Sequence, residues 1–208
     1  MTATHAGAPW ASALGPRLEQ LPPSLAAYFG PIPPGSRGVG EGVFRVVGSP
    51  RRGLRPFLAI LGRWGVAWPV WEHEVPFTVV NAPTSRGLLG LREFRFRSGS
   101  RVMRDRIVWT RHGLRQHLGS REQIVVELRV ELAEGGLRIS SGRVGIALGR
   151  LRVSLPERWA PRVTVQERVG ADGRQHVALA LDLPLLGRAY EFDGMFSHRI
   201  EPAPGAWQ

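Results

Sequence analysis

The sequence predicts an all-β fold with one or two short helices, in which an antiparallel meander forms a β-barrel or a strongly curved sheet, lipocalin-like in outline. Two observations support this prediction. Most of the chain alternates apolar and polar residues with a period of two, which is typical of strands buried on one face. Glycine-containing turns separate neighbouring runs, and no long helical segment lies between them. Closing or strongly curling such a meander would remove its exposed edges.

The clearest strand is segment 123–133, where apolar residues occupy every second position from Ile124 to Leu132 and charged residues lie between them. Gly135-Gly136 and Asp172-Gly173 have the composition of hairpin turns between neighbouring runs. The same alternation predicts further strands at Val43–Val47, Trp71–Val80, Leu88–Arg97, Arg101–Trp109, Leu137–Leu148, Arg162–Val169, Arg174–Pro184 and Arg188–Phe196.

Two segments have helical spacing instead. Leu18–Gly30 carries Leu21, Leu25 and Phe29 on one helical face, and Gly30 is placed to end the helix. In Arg51–Trp64 the apolar residues also gather on one face, which predicts a helix that plugs or covers the sheet. Its basic residues leave a second interpretation open, a basic amphipathic helix on a membrane surface.

A chain of 208 residues with 43% hydrophobic residues is long enough for one well-buried core. Residues 1–17 mix Ala, Gly, Pro and Thr without periodicity. We therefore expect a flexible N-terminal arm over residues 1–17, a single barrel-like domain over 18–200 and a flexible tail over 201–208.

Composition excludes several classes of site. The chain has no cysteine, which rules out disulfides, thiolate metal sites and Cys nucleophiles. The six histidines form no HxH or HExxH pair, and neither a P-loop nor a correctly spaced GxGxxG motif occurs, so we expect no metal and no cofactor. No apolar run approaches the ~20 residues of a membrane span, and the N-terminus lacks the pattern of a signal peptide, so we expect a cytoplasmic location.

Several motifs occur in an order typical of one family. They are LPPSLAAYFG at 21–30, GVFRVVG at 42–48, EVPFTV at 74–79, EGGL at 134–137, LPERWAPRV at 155–163, Glu167, and PLLGRAYEFDG at 184–194. Over residues 18–196 the chain resembles an uncharacterised bacterial domain family, found alone or fused C-terminal to saccharopine-dehydrogenase-like domains. The family usually has a Trp-Arg-Phe strand where this chain has Phe94-Arg95-Phe96. The resemblance implies a barrel-like all-β fold, no settled activity, and an oxidoreductase as a candidate partner.

Lone polar residues interrupt the apolar faces of the predicted strands. His73 shares a face with Val75 and Phe77, and Glu167 shares one with valines on either side. Such an interior, mostly apolar with a few polar groups, is typical of a small-molecule site. We therefore expect a hydrophobic or amphipathic molecule to bind among Trp71, His73, Arg92, Trp109, Glu167 and Tyr190. A packed core whose polar groups are ion-paired would have the same composition, and both interpretations stay open.

A second function class is a cofactor-free cyclase or isomerase acting on a hydrophobic substrate. Burial raises the pKa of a carboxyl, whereas burial and a nearby carboxylate shift the pKa of a histidine in opposite directions around neutrality, where acid–base catalysis operates. His73 and Glu167 are the candidates for the general acid or base in that case.

The basic residues suggest a third function, docking on an anionic partner. All 28 basic residues are arginine, against 17 acidic residues, and the net charge is +11. Segment 86–121 alone contains ten arginines and two acidic residues, a net charge of +8. Two predicted strands there could present one basic patch, formed by Arg95, Arg97, Arg104 and Arg106. An anionic membrane surface or an acidic protein would suit this patch, whereas nucleic acid is disfavoured because no recognition helix or regular aromatic platform is visible. A solvated sheet face without a partner is the structural alternative.

Overall fold

A computed structural model describes residues 7–149 and 151–204, and most of these residues lie in strands. The all-β barrel predicted from the alternating pattern is confirmed. The strands are β1 Ser36–Gly48, β2 Trp71–Thr84, β3 Gly87–Phe96, β4 Gly99–Thr110, β5 Gly113–Leu118, β6 Ile124–Ala133, β7 Gly136–Leu148, β8 Leu151–Ser154, β9 Arg162–Val169, β10 Gln175–Leu183 and β11 Gly187–Pro202.

The barrel is an antiparallel meander of ten strands that closes on itself. Each of these strands pairs with its neighbours along the chain, and pairing of β1 with β11, from Ser36 opposite Pro202 to Gly48 opposite Glu191, completes the ring. The long strand β7 pairs with β9 through its first half and with the short strand β8 through its second half. Closure therefore gives nearly every strand two hydrogen-bonded neighbours, and β8 stands as an added edge outside the ring.

Three short helices cover the two ends of the barrel. Helices α1 (Pro9–Leu14) and α2 (Pro23–Phe29) cover one end, and helix α3 (Arg55–Arg63) lies between β1 and β2 at the other. Turns of 3₁₀ helix precede α2 and α3, at Gly15–Gln20 and Arg52–Leu54. No helix in the described ranges is long and apolar enough to cross a lipid bilayer.

Each covering helix belongs to a buried apolar cluster. Leu25 and Phe29 of α2 pack in one cluster with strand residues such as Leu88, Ile107 and Leu137. In the other cluster, residues of α3 pack with the aromatic residues of β1, β2 and β3; its α3 members are Leu58 and Leu61. The predicted plug near residues 54–64 is therefore confirmed, and the predicted end of the first helix at Gly30 agrees with the C-cap of α2.

The N-terminal segment differs from the flexible arm expected over residues 1–17. Residues 1–6 lie outside the described part, but helix α1 begins at Pro9, a residue suited to the first helical turn. Trp10 and Leu14 are only 8% and 2% exposed, and the Trp10 ring meets Phe29 edge-to-face at 5.2 Å. Burial of these two side chains fixes the segment on the barrel. At the opposite terminus, β11 extends to Pro202, two residues beyond the predicted domain.

We expect Trp10→Ala to lower the free energy of unfolding by about 3–5 kcal/mol, because the substitution leaves a void at the end of the barrel that α1 and α2 cover. Urea unfolding of the full chain followed by circular dichroism measures this change. Trp159→Ala is the matched control, because Trp159 is 57% exposed and its loss should change stability by less than about 0.5 kcal/mol. Equal effects of the two substitutions would contradict the packing of α1.

Candidate functional site

The interior of the barrel contains a cavity of about 180 Å³ between the two covered ends. Apolar side chains from most of the strands form its wall, because alternate residues of each strand point inward. Residues 66 and 67, just after α3, also contribute to the wall. The apolar part of the wall includes Phe44, Phe77, Val79, Met103, Val126, Leu128, Val165, Val177, Leu179 and Phe192.

Glu167 places a carboxyl group in this apolar wall. The regular alternation of β9 turns Val163, Val165 and Glu167 to the same side, as the sequence predicts, and Glu167 is only 8% exposed. Burial raises the pKa of Glu167 to about 7, although a hydrogen bond from Gln175 and the positive charge of Arg92 lower it. The carboxyl therefore changes its protonation state near neutral pH.

Gln175, on the adjacent strand β10, can satisfy both protonation states of Glu167. Its side-chain Nε2 donates a hydrogen bond to Oε2 of Glu167. Its Oε1 is buried and has no hydrogen-bond partner in the described part of the chain. A half-turn of the amide would bring that oxygen to Glu167, where it would accept the proton of the neutral carboxyl.

A second polar group, formed by Arg92, Asp105 and Gln116, lies on β3, β4 and β5. Asp105 is only 2% exposed. Arg92 Nη1 donates to its Oδ1, and Gln116 Nε2 donates to its Oδ2 at 2.7 Å, so both oxygens of the buried carboxylate have hydrogen-bond partners. Gly90, directly opposite Asp105, leaves the space for this pairing; a Cβ there would lie 2.4 Å from Oδ1. Burial lowers the pKa of Arg92, but the charge and hydrogen bond of Asp105, together with the charges of Tyr28 and Glu167, raise it by more, so the guanidinium stays charged.

Tyr28 of α2 lies between the two polar groups. Burial raises its pKa, with a further rise from the charge of Glu167, while Arg92 and a side-chain hydrogen bond with Asn81 lower it. A space of about 30 Å³, large enough for a water molecule, adjoins Tyr28, Asn81, Arg92, Asp105 and Glu167. The polar side chains therefore gather at the end of the interior that α2 covers.

Three of the six predicted ligand-binding residues lie in the cavity wall: Arg92, Glu167 and Tyr190. Tyr190 is 3% exposed and forms a hydrogen bond with the backbone of Trp68, and burial raises its pKa. Tyr28, Asn81, Gln116 and Gln175 were not among the residues predicted from the sequence. A signal for Tyr28 was present, since it lies three residues after Leu25 on the same helix.

Trp71 and His73 point outward, which corrects the expectation that they share an inward face with Val75. The backbone of Glu74 has a φ of +51°, a left-handed conformation that breaks the alternation of β2 at this residue. Val75 and Phe77 remain buried, whereas Trp71 is 39% exposed and its ring meets the exposed His73 edge-to-face at 5.6 Å. His73 is therefore not positioned to act on a molecule in the cavity.

Trp109 also lies outside the cavity wall. It follows the inward alternation of β4, but it stands one residue before the strand ends at the β4–β5 turn and is 44% exposed. Leu114 of β5, which lies opposite Trp109, is buried in the cluster that includes α1 and α2. The position at the rim of the barrel explains why the alternation alone did not place this side chain.

The four arginines of the predicted basic patch share the outer side of β3 and β4, but they do not form one uniform patch. The strand register keeps Arg95 and Arg104 apart. Arg95 lies opposite Ser100 of β4, and Arg104 lies four residues after Ser100, opposite Leu91. Arg106 is ion-paired with Glu122, its Nε and Nη2 donating to Oε1 at 2.9 Å and 2.5 Å. Two of the others differ in surroundings: Arg95 contacts Thr78 and Glu93, and the backbone N–H of Arg97 donates to Glu72.

The raised pKa of Glu167 predicts a pH-dependent stability. Folding favours the protonated carboxyl, so the free energy of unfolding should fall by about 3 kcal/mol as the pH rises from about 4.5 through about 7. Glu167→Gln removes this titration, and the variant should gain stability relative to the wild type over the same range. Urea unfolding at a series of pH values measures the difference between the two proteins.

Glu131→Gln on the exposed surface of β6 is the matched control for this pH series. Its stability difference from the wild type should be the same at acidic and at neutral pH. A Glu167→Gln difference that is also independent of pH would show that Glu167 is not a buried titrating group.

Comparison with known proteins gives one match. No curated protein and no solved structure matches the chain. The model of a family described as a domain of unknown function, DUF4166, matches residues 21–196. This range includes the polar residues of the cavity wall, from Tyr28 to Tyr190. The chain belongs to the DUF4166 family.

Proposed function

We propose that the barrel binds a small hydrophobic or amphipathic molecule in its interior cavity. The observation that carries this proposal is the mostly apolar cavity inside the barrel with the carboxyl of Glu167 in its wall. Sites for small molecules combine apolar walls with a few oriented polar groups. We keep two further expectations with this proposal. One is the cytoplasmic location expected from the sequence, and the other is the oxidoreductase partner that the family resemblance implies.

The volume of the cavity limits the size of the molecule. About 180 Å³ is less than the ~300–1,000 Å³ of sites for drug-sized ligands. It is slightly more than the ~150 Å³ of an apolar cavity that accepts benzene. A single ring with one or two substituents, or a short aliphatic chain, therefore suits this interior.

The polar groups indicate which substituent the molecule carries. Arg92 is already engaged by Asp105, so its charge is satisfied within the protein. Glu167, with a pKa of about 7, can donate a hydrogen bond when protonated and accept one when ionised. A hydroxyl group, which can both donate and accept, suits either state, so we expect a monocyclic alcohol or phenol to bind better than the corresponding hydrocarbon.

Binding of p-cresol, with toluene as the hydrocarbon comparison, tests this proposal. We expect p-cresol to bind the full chain with a Kd below about 1 mM, measured by isothermal titration calorimetry. Val126→Phe should abolish binding because Val126 is 5% exposed and lines the cavity. Val43→Phe is the matched control, since Val43 is 40% exposed and does not line the cavity. Failure of both probes to bind, or equal binding to the Val126→Phe variant, would overturn the proposal.

A second candidate function is acid–base chemistry on the bound molecule, and the raised pKa of Glu167 favours it. The ionised carboxylate would take a proton from the carbon next to a carbonyl, and a proton from solvent would return to that carbon. We expect the protein to accelerate exchange of the α-hydrogens of cyclohexanone for deuterium in D₂O, followed by NMR. Glu167→Gln should remove the acceleration, and His73→Ala should leave it unchanged. Exchange at the uncatalysed rate would exclude this chemistry for cyclic ketones.

A further inference from the structure

The exposed apolar side chains are concentrated at the end of the barrel that α3 covers. Twelve large hydrophobic residues are exposed in the described part of the chain. Only Val43, Trp109, Leu132 and Ile200 lie elsewhere on the barrel. The side chains at the α3 end include Phe57, Ile60, Trp71, Trp159, Leu185 and Leu186, and Leu185 is 93% exposed.

These side chains come from separate segments that meet at one surface. The end where β1 enters α3 also holds the turns between β3 and β4, between β5 and β6, and between β10 and β11. The segment with Arg158 and Trp159 reaches the same end, because it leads into Arg162 of β9, which lies opposite Asp182 beside the β10–β11 turn. Arg51 donates to the carbonyl of Leu186, which ties the start of α3 to the β10–β11 turn. The N–H of Ser120 donates to the carbonyl of Trp64 at 2.9 Å, which ties the segment after α3 to the β5–β6 turn. We call this surface the α3 end.

The α3 end is also rich in arginines that have no acidic partner. In residues 7–149 and 151–204, the ion pairs involve arginines such as Arg37, Arg45 and Arg188 on the strands, although other exposed strand arginines, such as Arg129 and Arg168, have no ion pair either. Six exposed arginines of the α3 end take part in none of those ion pairs. They are Arg52, Arg55, Arg63, Arg97, Arg121 and Arg158. Unpaired guanidinium groups beside protruding apolar side chains suit a surface that is anionic outside and apolar beneath.

We propose that the α3 end docks the protein on an anionic membrane surface. Phe57, Ile60 and Leu185 would enter the boundary between head groups and acyl chains, and tryptophan is favoured at that depth. The arginines around them would bind lipid phosphates through paired hydrogen bonds. The docking surface is therefore the α3 end of the barrel, and the outer side of β3 and β4 contributes to it only through Arg97, in the turn that follows β3.

The charge pattern favours lipid over an acidic protein. A protein interface has an apolar core from which charged residues are depleted. Here the exposed apolar side chains stand on α3 and on separate turns, and arginines of α3 such as Arg55 and Arg63 are exposed as well, so charged residues are not depleted from this surface. The interfacial region of an anionic bilayer can accommodate separate apolar side chains, and its lipid phosphates can bind arginines at the same depth.

Co-sedimentation of the purified full chain with lipid vesicles tests the proposal. We expect binding to phosphatidylcholine vesicles that contain phosphatidylglycerol to be at least about tenfold tighter than binding to pure phosphatidylcholine vesicles. Added salt should weaken that binding, because it screens the attraction between arginine and phosphate. Absence of binding, or equal binding to both kinds of vesicle, would overturn the proposal.

Matched variants locate the surface. Substituting Ile60, Leu185 and Leu186 together by Ser should weaken binding to anionic vesicles at least about tenfold. Substituting Trp109 and Leu132 by Ser, at the opposite end, should leave binding unchanged. Equal losses in the two sets would show that docking does not involve the α3 end. Because the five residues are exposed, all variants should unfold at the same urea concentration, which confirms that they are folded.

The arginines are tested in the same way. Substituting Arg52, Arg55 and Arg63 by Gln should remove most of the preference for anionic vesicles. The control removes the same charge elsewhere on the exposed surface, by substituting Arg111, Arg129 and Arg168 by Gln. If the control loses as much preference, net charge rather than the α3 end directs binding, and the proposal fails.

Insertion depth gives an independent reading. Brominated acyl chains quench tryptophan fluorescence only when the indole lies in the membrane. Quenching in anionic vesicles should fall in Trp159→Phe and stay unchanged in Trp109→Phe. The reverse result would place the opposite end in the bilayer and overturn the assignment. Neither variant alters the wall of the cavity, so failure here leaves the proposed binding of a small molecule untouched.

Discussion

Hydrogen bonding between β1 and β11 is the interaction on which the rest of the structure depends. Without it the meander would be a curved sheet with two long exposed edges, and its apolar face would be open to water. With it the inward residues of ten strands enclose one space, and short helices suffice to cover the ends. The cavity exists because the inward side chains of a ring of this size do not fill the space completely. Closure thus sets both the stability of the domain and the volume available to a ligand.

Enclosure makes every inward polar group costly unless it is satisfied. Asp105 meets this requirement fully, since Arg92 and Gln116 bind its two oxygens and Gly90 leaves room for the pair. Among residues 7–149 and 151–204, no cation contacts Glu167, and the amide of Gln175 is its hydrogen-bond partner. The interior therefore contains one carboxylate committed to structure and one carboxyl whose proton is exchangeable near neutrality. This contrast makes Glu167 the group on which ligand recognition and acid–base chemistry would both depend.

The sequence predicted most of the fold because alternation and turns are local signals that survive into the barrel. It placed Glu167 correctly because β9 keeps a strict alternation through to that residue. It misplaced His73 because a single left-handed residue, Glu74, is not marked by any glycine or asparagine in the sequence. Contacts of Tyr28 with β2 and β3 could not be predicted from the sequence, because they depend on how helix α2 packs against the closed barrel. The same limit applies to Trp10, whose burial needs the strands to be in place.

The chain enters and leaves the barrel on the same side. Ser36 at the start of β1 lies opposite Pro202 at the end of β11, and the N–H of Ala203 donates to the carbonyl of Gly35 at 2.8 Å. Both lie at the end covered by α1 and α2, one strand length away from the α3 end. A fluorophore attached at Ala203 would therefore lie one strand length away from α3. Its distance from a vesicle surface would report directly which end of the barrel faces the lipid.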